Sequence, residues 1–518
     1  MSVSVQLARA FQRAPAQRLA ALLLVALAIG ALQTIAYVFT AWWPLQLLCA
    51  AALACMVLHC APALAAALGW AYSVGWLGAG VWWLFISMHR YGHLPAVLAA
   101  LAVLALAAAL SLYLAGAMAL VARWRGGLWW RNSALFAAAW LLAELARTWL
   151  FTGFPWVVSG YAHIDSPLAM LAPWLGVLGI GAAAAWLAAL ASHALRHPKA
   201  GALALALLGV AALVGPTSHS RPGATVTVSL LQTNVPQDEK FVVEQLPATL
   251  SWLADTMRQA GGKLVVAPET AIPLLPSQLN ELVPGYLSAL IDHFGEPGRA
   301  ALVGVPLGDY DRGYSNSVIG LTRTVDSGAP YRYDKQHLVP FGEFIPSGFR
   351  WFTELMNIPL GDFMRGARNP PSFAFAGGRW GPNICYEDLY GDELALRFTD
   401  DDTAPTAFVN VSNIGWFGDT IAVDQHLHIS RMRALEFQRP MLRATNTGFT
   451  GVIDHQGRVT AQLAPFTRGV LDAQVQGRSG LTPYAWWGAR LGLWPYAVAA
   501  LLVLGICALR RTRAAAAA

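Results

Sequence analysis

Three segments of the chain carry side chains that together could make and break an acyl bond. In Gly381-Pro382-Asn383-Ile384-Cys385-Tyr386-Glu387-Asp388 an apolar strand end turns into an acidic stretch, and a thiol on such a turn sits where a nucleophile would sit. The other cysteines, Cys49, Cys55, Cys60 and Cys507, all fall in long apolar blocks, where Cys acts as a small apolar residue. Lys263 to Thr270 is a buried-strand pattern that ends in Pro268-Glu269, with the carboxylate directly after the strand. Tyr333-Asp334-Lys335-Gln336-His337-Leu338-Val339-Pro340-Phe341-Gly342-Glu343 sets a lysine among apolar and aromatic neighbours. Each residue alone has a plainer reading: an inert core thiol, a solvated loop carboxylate, a surface lysine. As a set they make chemical sense. An ammonium eases ionisation of a thiol, a carboxylate can take its proton, and the lysine can hold the oxyanion of a tetrahedral intermediate.

All three lie in the water-solvated part of a divided chain. Of 518 residues 56% are hydrophobic and only 12% charged, with mean hydropathy +0.46, whereas a soluble domain carries about 25% charge. Of the 29 acidic residues only Glu144 and Asp165 precede residue 216. Between residues 217 and 485 short β-rich runs recur at Thr225–Leu231, Lys263–Ala267, Ala300–Val305, Ser317–Leu321, Ala407–Val411 and Gly448–Ile453. Helical patterns intervene, as at Leu246–Gln259 and Gln425–Gln438, so an α/β layered domain is expected there.

The rest of the chain is apolar. Seven blocks, near 18–33, 35–58, 62–87, 95–121, 134–152, 168–192 and 200–215, approach the ~20 residues that span a bilayer core. An eighth runs from about Trp494 to Leu509, and the first two are split only near Gln33-Thr34, so six initial crossings is the competing count. The first block is read as a crossing, not a cleaved leader. The expected division is 1–216 as a transmembrane helical domain, 217–485 as the catalytic domain, and 486–518 as a last crossing with a basic tail. Arg9, Arg13, Arg18, Arg123, Arg125, Arg131, Arg196, Lys199, Arg510, Arg511 and Arg513 fall on one side of a seven-plus-one topology, and little beyond Arg90 and Arg147 on the other. By the positive-inside rule both termini are cytoplasmic and the large domain is outside, which in a bacterium is the periplasm. The net charge of +6 is spread without a basic run interleaved with aromatics, so nucleic-acid binding is not expected.

Pro268-Glu269, Lys335 in its Tyr-Asp-Lys-x-His-Leu-Val-Pro-Phe-Gly-Glu setting, and Cys385-Tyr386-Glu387 resemble the Glu-Lys-Cys set of the nitrilase superfamily. On a domain flanked by membrane blocks, that set is similar to the bacterial apolipoprotein N-acyltransferases. The resemblance extends to Gly153-Phe154-Pro155-Trp156, Tyr314-Ser315-Asn316-Ser317, Val411-Ser412-Asn413, Trp416-Phe417-Gly418, Arg431 to Glu436, and Arg443 to Gly448. It implies an α-helical transmembrane bundle plus a nitrilase-like αββα sandwich. The implied reaction is ping-pong: Cys385, with Glu269 as base and Lys335 on the oxyanion, takes an acyl chain from a phospholipid. It then passes the chain to the N-terminal amine of a diacylglyceryl-modified apolipoprotein. Glu343 would support Lys335, and Tyr386, Glu387, Phe241, Asn316 and Trp416 would support or line the site. No metal or organic cofactor is implied, and a monomer at the bilayer is expected.

Two departures stand out. Asn413-Ile414-Gly415-Trp416-Phe417-Gly418 replaces the family's Asn-Asp-Ala-Trp-Phe-Gly, so no acidic role falls there. Lys240 is followed by Phe241 where a Trp is usual, which keeps an aromatic wall but loses the indole donor. Trp351–Met364, apolar and bounded by Pro and Gly, is expected to be an exposed arm over the site that meets lipid; an ordinary buried helix is the alternative. The rival functions are a membrane-tethered amidase or nitrilase, which uses the same three residues, and a transporter with an accessory domain. Glu144 and Arg147, the only ionisable pair in one apolar helix, more simply pair with each other. His89 and His93 lack a third ligand for a metal. His426 and His428 face different sides of their helix. Gly176, Gly179 and Gly181 read as helix packing. Tyr484, Trp486 and Trp487 read as an interfacial belt.

Overall fold

The computed structural model describes residues 16–215, 217–323, 330–346, 348 and 363–516. The chain divides into two compact units, one of Met1–Phe85, Ala96–Thr217 and Leu491–Ala518, the other of Ile86–Pro95 and Ser218–Arg490. The arm expected over Trp351–Met364 lies outside the described residues except for Phe363 and Met364.

In the first unit each apolar block is helical. Among the described residues five helices are long and apolar enough to cross a membrane: Ala16–Val38, Thr40–Val57, Ala96–Trp124, Trp129–Thr152 and Pro167–Ser192. Counting the bent pairs Pro62–Gly80 with Leu84–Tyr91 and Pro483–Leu491 with Trp494–Arg510 as one span each gives seven, and Pro198–Val214 is a shorter apolar helix. Apolar side chains gain nothing by leaving lipid for one another, so such helices associate through close packing and polar contacts. Gly30 and Gly75 show why small residues are needed. A Cβ on Gly30 would lie 1.8 Å from the Tyr72 carbonyl oxygen, and one on Gly75 2.0 Å from that of Leu27, so two helices touch backbone to backbone. Glu144 and Arg147 pair at 3.9 Å, as their spacing suggests. Glu144 also accepts from the Ser159 amide at 2.7 Å and its hydroxyl at 3.0 Å. Arg147 donates to the carbonyls of Phe154 and Val157.

The second unit is built on two six-stranded sheets. Strands β1 (Arg221–Gln232), β2 (Leu264–Val266), β3 (Ala300–Asp309), β4 (Gly313–Leu321), β5 (Tyr331–Asp334) and β12 (Gly469–Ser479) form one, in the order β12-β1-β2-β3-β4-β5. Strands β6 (Phe373–Phe375), β7 (Gly378–Ile384), β8 (Ala407–Ser412), β9 (Met441–Thr445), β10 (Gly451–Ile453) and β11 (Val459–Gln462) form the other, in the order β11-β10-β9-β8-β7-β6. In both, parallel central strands are flanked by antiparallel edges. Strand alternation sends every second side chain to the shared interior. Leu264 and Val266 of β2 pack there with Val228, Leu302, Ile384, Val409, Val411 and Leu442, all fully buried. Val265 turns to the other face, where it packs with Ala301 of β3 and with Leu250, Leu253 and Leu290 from flanking helices. Burying each such side chain contributes roughly 1.5–3 kcal/mol. Helix Ala422–Phe437 lies on the outer side of the second sheet, where Phe437 stacks on Phe398 at 4.9 Å between ring centres. The result is the αββα sandwich that the sequence resemblance implies. One belt residue needs correction. Tyr484 is buried and packs on Phe437 at 5.5 Å, so it belongs to the sandwich interior, whereas Trp486 is exposed.

Candidate functional site

The three residues singled out in the sequence all emerge at strand ends. Glu269 follows β2 after Pro268, Lys335 follows β5 directly, and Cys385 follows β7 as the first residue of a short 3-10 turn, Cys385–Leu389. A strand end is a rigid point from which a side chain can be aimed. Two of the turns are strained. Thr270 has φ +46° and Cys385 φ +52°, a left-handed conformation costly for residues with a Cβ and a genuine outlier for a β-branched one. Two donors hold the Cys385 carbonyl: Asn410 Nδ2 at 3.2 Å and His426 Nε2 at 3.3 Å.

Lys335 is 1% exposed and its Nζ lies 2.9 Å from Glu343 Oε1 and 3.4 Å from Glu269 Oε1. Asn316 Nδ2 bridges the same two carboxylate oxygens, donating at 2.7 Å to Glu269 and 2.9 Å to Glu343. Backbone amides complete the set: Asn413 N–H donates to Glu269 Oε2 at 2.7 Å, and Val339 N–H to Glu343 Oε2 at 2.8 Å. Ile414, which stands where the family has an acid, is buried. Burial alone would lower the Lys335 ammonium, but Glu343, Glu269 and Cys385 hold it above the usual lysine value.

Cys385 is partly open to solvent, yet protein packs densely around its sulfur. That burial, together with the negative charge of Glu269, pushes the thiol up to about 12, against the opposing pull of Lys335 and the Ser412 hydroxyl. At neutral pH it is therefore a thiol, and a nucleophilic attack needs a base to take its proton in the same step.

The supporting residues divide. Phe241 and Trp416 are exposed, 55% and 40%, as apolar walls would be. Tyr91, from the Ile86–Pro95 segment, sits edge-on to Trp416 at 5.6 Å. Tyr386 is buried and receives a hydrogen bond from the Tyr390 hydroxyl at 3.0 Å. Glu387 is turned inward. Its oxygens accept from Tyr333 Oη and Ile384 N–H, both at 2.6 Å, and from the amides of Gln336 at 2.7 Å and His337 at 3.2 Å. It ties the turn after Lys335 to the turn at Cys385, while burial pushes its carboxyl above the usual range.

Two groups at the site carry contacts to which the sequence reading assigned no role. His426 Nε2 donates to both the Cys385 carbonyl and Asp388 Oδ1, the latter at 3.1 Å. Asp388 also receives Ser430 and Arg443. These hold its carboxyl below the usual range although burial pushes the other way. Lys240 is buried and donates to the Glu269 carbonyl at 3.1 Å and Thr270 Oγ1 at 2.6 Å. A basic residue beside an aromatic in the loop after the first strand was its only local sign.

Comparison with known proteins now bears on this geometry. Residues 29–190 match the family described as apolipoprotein N-acyltransferase N-terminal domain, and residues 226–484 match the carbon-nitrogen hydrolase family. The apolipoprotein N-acyltransferase of Verminephrobacter eiseniae is 55% identical over 456 residues, covering 83% of this chain and 84% of that protein. That of Ralstonia nicotianae is 45% identical over 525 residues, covering 100% and 97%. Among solved structures, an amidase from Nesterenkonia sp. is 18% identical with a TM-score of 0.37, covering 50% of this chain and 93% of that one. With relatives this similar along nearly its whole length, the chain belongs to the apolipoprotein N-acyltransferase family and is an N-acyltransferase of a bacterial membrane.

Proposed function

We propose that Cys385 carries the acyl chain as a thioester, with Glu269 as its base and Lys335 as the cation facing the oxyanion. The convergence of one carboxylate and one ammonium at a thiol held on a strained strand end supports this reading. In the first half, Cys385 Sγ attacks the ester carbonyl carbon of a phospholipid and its proton passes to Glu269. The tetrahedral oxyanion is held by Lys335 and by backbone donors near the nucleophile. Collapse breaks the ester C–O bond, Glu269 returns the proton to the departing glycerol oxygen, and lysophospholipid leaves. In the second half, the α-amine of a diacylglyceryl-modified N-terminal cysteine of an apolipoprotein attacks the thioester carbon. Glu269 takes a proton from that nitrogen, the C–S bond breaks, and the proton passes to the thiolate. Glu343 and Asn316 orient Lys335 and Glu269 throughout, and Phe241, Trp416 and Tyr386 guide the acyl chains. The lysine and arginine distribution puts residues 217–485 on the periplasmic side of the inner membrane, between the helical domain of 1–216 and the last crossing in 486–518. The protein acts as a monomer.

The test uses the purified full-length enzyme, a phospholipid with a labelled acyl chain, and a diacylated lipopeptide. A free N-terminal amine on the lipopeptide should yield labelled N-acyl product in one-to-one ratio with lysophospholipid, and an N-acetylated lipopeptide should yield none. Release of free fatty acid at the same rate with and without lipopeptide, and no N-acyl product, would mark a hydrolase instead.

A further inference from the structure

Lys240 is a buried cation that the chemistry above does not use. Among the described residues its ammonium donates to neutral oxygens, the Glu269 carbonyl and the Thr270 hydroxyl. Burying a charge with neutral acceptors alone is costly, and burial lowers this amine to about 8 even though the charges of Glu269 and Cys385 pull the other way. A group kept at that cost is doing something its surroundings need. What surrounds it is the turn that carries the base. Thr270 adopts φ +46°, where its β-branched side chain is strained. β3 presses close on the same turn: a Cβ on Gly304 would lie 2.3 Å from the Pro268 carbonyl oxygen and 2.7 Å from the Thr270 nitrogen. The Gly304 backbone and the Lys240 ammonium thus both bear on this turn. We propose that Lys240 is a positioning residue, clamping the Glu269–Thr270 turn so that the Glu269 carboxylate stays aimed at Lys335 and the Cys385 thiol. This rests on the reading of Glu269 as base.

Four full-length variants test it: Lys240→Met, Lys240→Arg, Thr270→Gly, and the double Lys240→Met with Thr270→Gly. Single-turnover acylation of Cys385 by phospholipid and the melting temperature are measured for each. Lys240→Met should slow acylation about 30–100-fold with KM changed less than about threefold, because a displaced base costs rate and not binding. Lys240→Arg, which keeps a cationic donor, should recover most of that loss. Glycine takes φ > 0 without strain, so Thr270→Gly should weaken the dependence on Lys240, and the double variant should outpace Lys240→Met alone. Should Lys240→Met not fold, the Lys240→Arg and double variants decide. Wild-type acylation in Lys240→Met, or Lys240→Arg and the double variant no faster than Lys240→Met, overturns the clamp. Glu269→Gln and Cys385→Ala run alongside separate the two failures. If those retain activity, the reading of the base and nucleophile is wrong; if they are dead while Lys240→Met is normal, only the clamp is wrong.

Discussion

Glu144 and Arg147 in the helical unit are as deeply buried as Glu269 and Lys335 in the sandwich unit, but their hydrogen bonds end in different places. The helical pair is one acid and one base, closed by Ser159 and by the carbonyls of Phe154 and Val157. The sandwich cluster sets two carboxylates on one lysine and adds a partly open thiol within reach of their field. A buried ion pair is weak evidence of anything beyond packing. In the sandwich cluster a second carboxylate shares the lysine; burial and the Glu269 charge raise the thiol beside it, and in the proposed mechanism Glu269 is its base. The pairing of charges alone does not separate structure from chemistry; a nucleophile within the cluster's field does.

Breaking the two clusters should therefore give opposite signatures. The largest effect is on rate. Glu269→Gln should slow acylation of Cys385 by about 10²–10⁴-fold, the usual contribution of a general base, measured in a single turnover with labelled phospholipid. The combined Glu144→Gln and Arg147→Leu variant should stay within about threefold of wild type. Next comes stability. Arg147→Leu alone leaves Glu144 buried without its cation and should cost about 3–5 kcal/mol, and adding Glu144→Gln should recover much of it. Thermal unfolding in detergent reads this out. If the double variant melts below the single one, the pair is not a closed unit.

Smaller shifts sharpen the electrostatics. Because the Glu269 charge raises the Cys385 thiol, Glu269→Gln should lower it. The pH profile for alkylation of the resting enzyme by iodoacetamide should move toward acid, although acyl transfer is lost. Loss of Lys335 should move it the other way. A profile unmoved by either change would mean that the thiol does not feel the cluster. The smallest effect concerns Asp392, which burial and then Glu393 push up to about 6. A carboxyl raised in the folded state costs stability as pH rises from its unfolded value, about 3.9, through 6. Asp392→Asn should thus raise the melting temperature by about 2–4 °C at pH 7.5 and not at pH 3.5.

Two of the three candidate residues stand at strand ends that the sequence shows, Glu269 after the run at Lys263–Ala267 and Cys385 after an apolar strand end, whereas β5 before Lys335 is too short and polar to read. A reactive group at the end of a buried apolar run leaves a local mark, and β2 and β8 match the runs at Lys263–Ala267 and Ala407–Val411 closely. β9 was obscured by Arg443, a charge inside a strand whose ion-pair partner, Asp388, lies far back in the chain. β12 was missed because its polar alternation makes sense only opposite β1, where Gln476 faces Thr225. His426 was set aside on helix geometry, but its partners are the Cys385 carbonyl and Asp388, contributed by another element. Residues whose role is to hold another residue's backbone carry no signature of their own, and Lys240 and His426 are both of that kind.

The central claim is that the acyl chain rests on Cys385, and intact mass of the full-length enzyme tests it most directly. Incubated with phospholipid and no acceptor, the wild type should gain one acyl group, lost on treatment with neutral hydroxylamine and discharged when a diacylated lipopeptide is added. Cys385→Ala should gain none, and replacing Cys49, Cys55, Cys60 and Cys507 together should leave the adduct in place. An active wild-type enzyme that never carries the acyl group, or a Cys385→Ala variant that still does, would contradict the account.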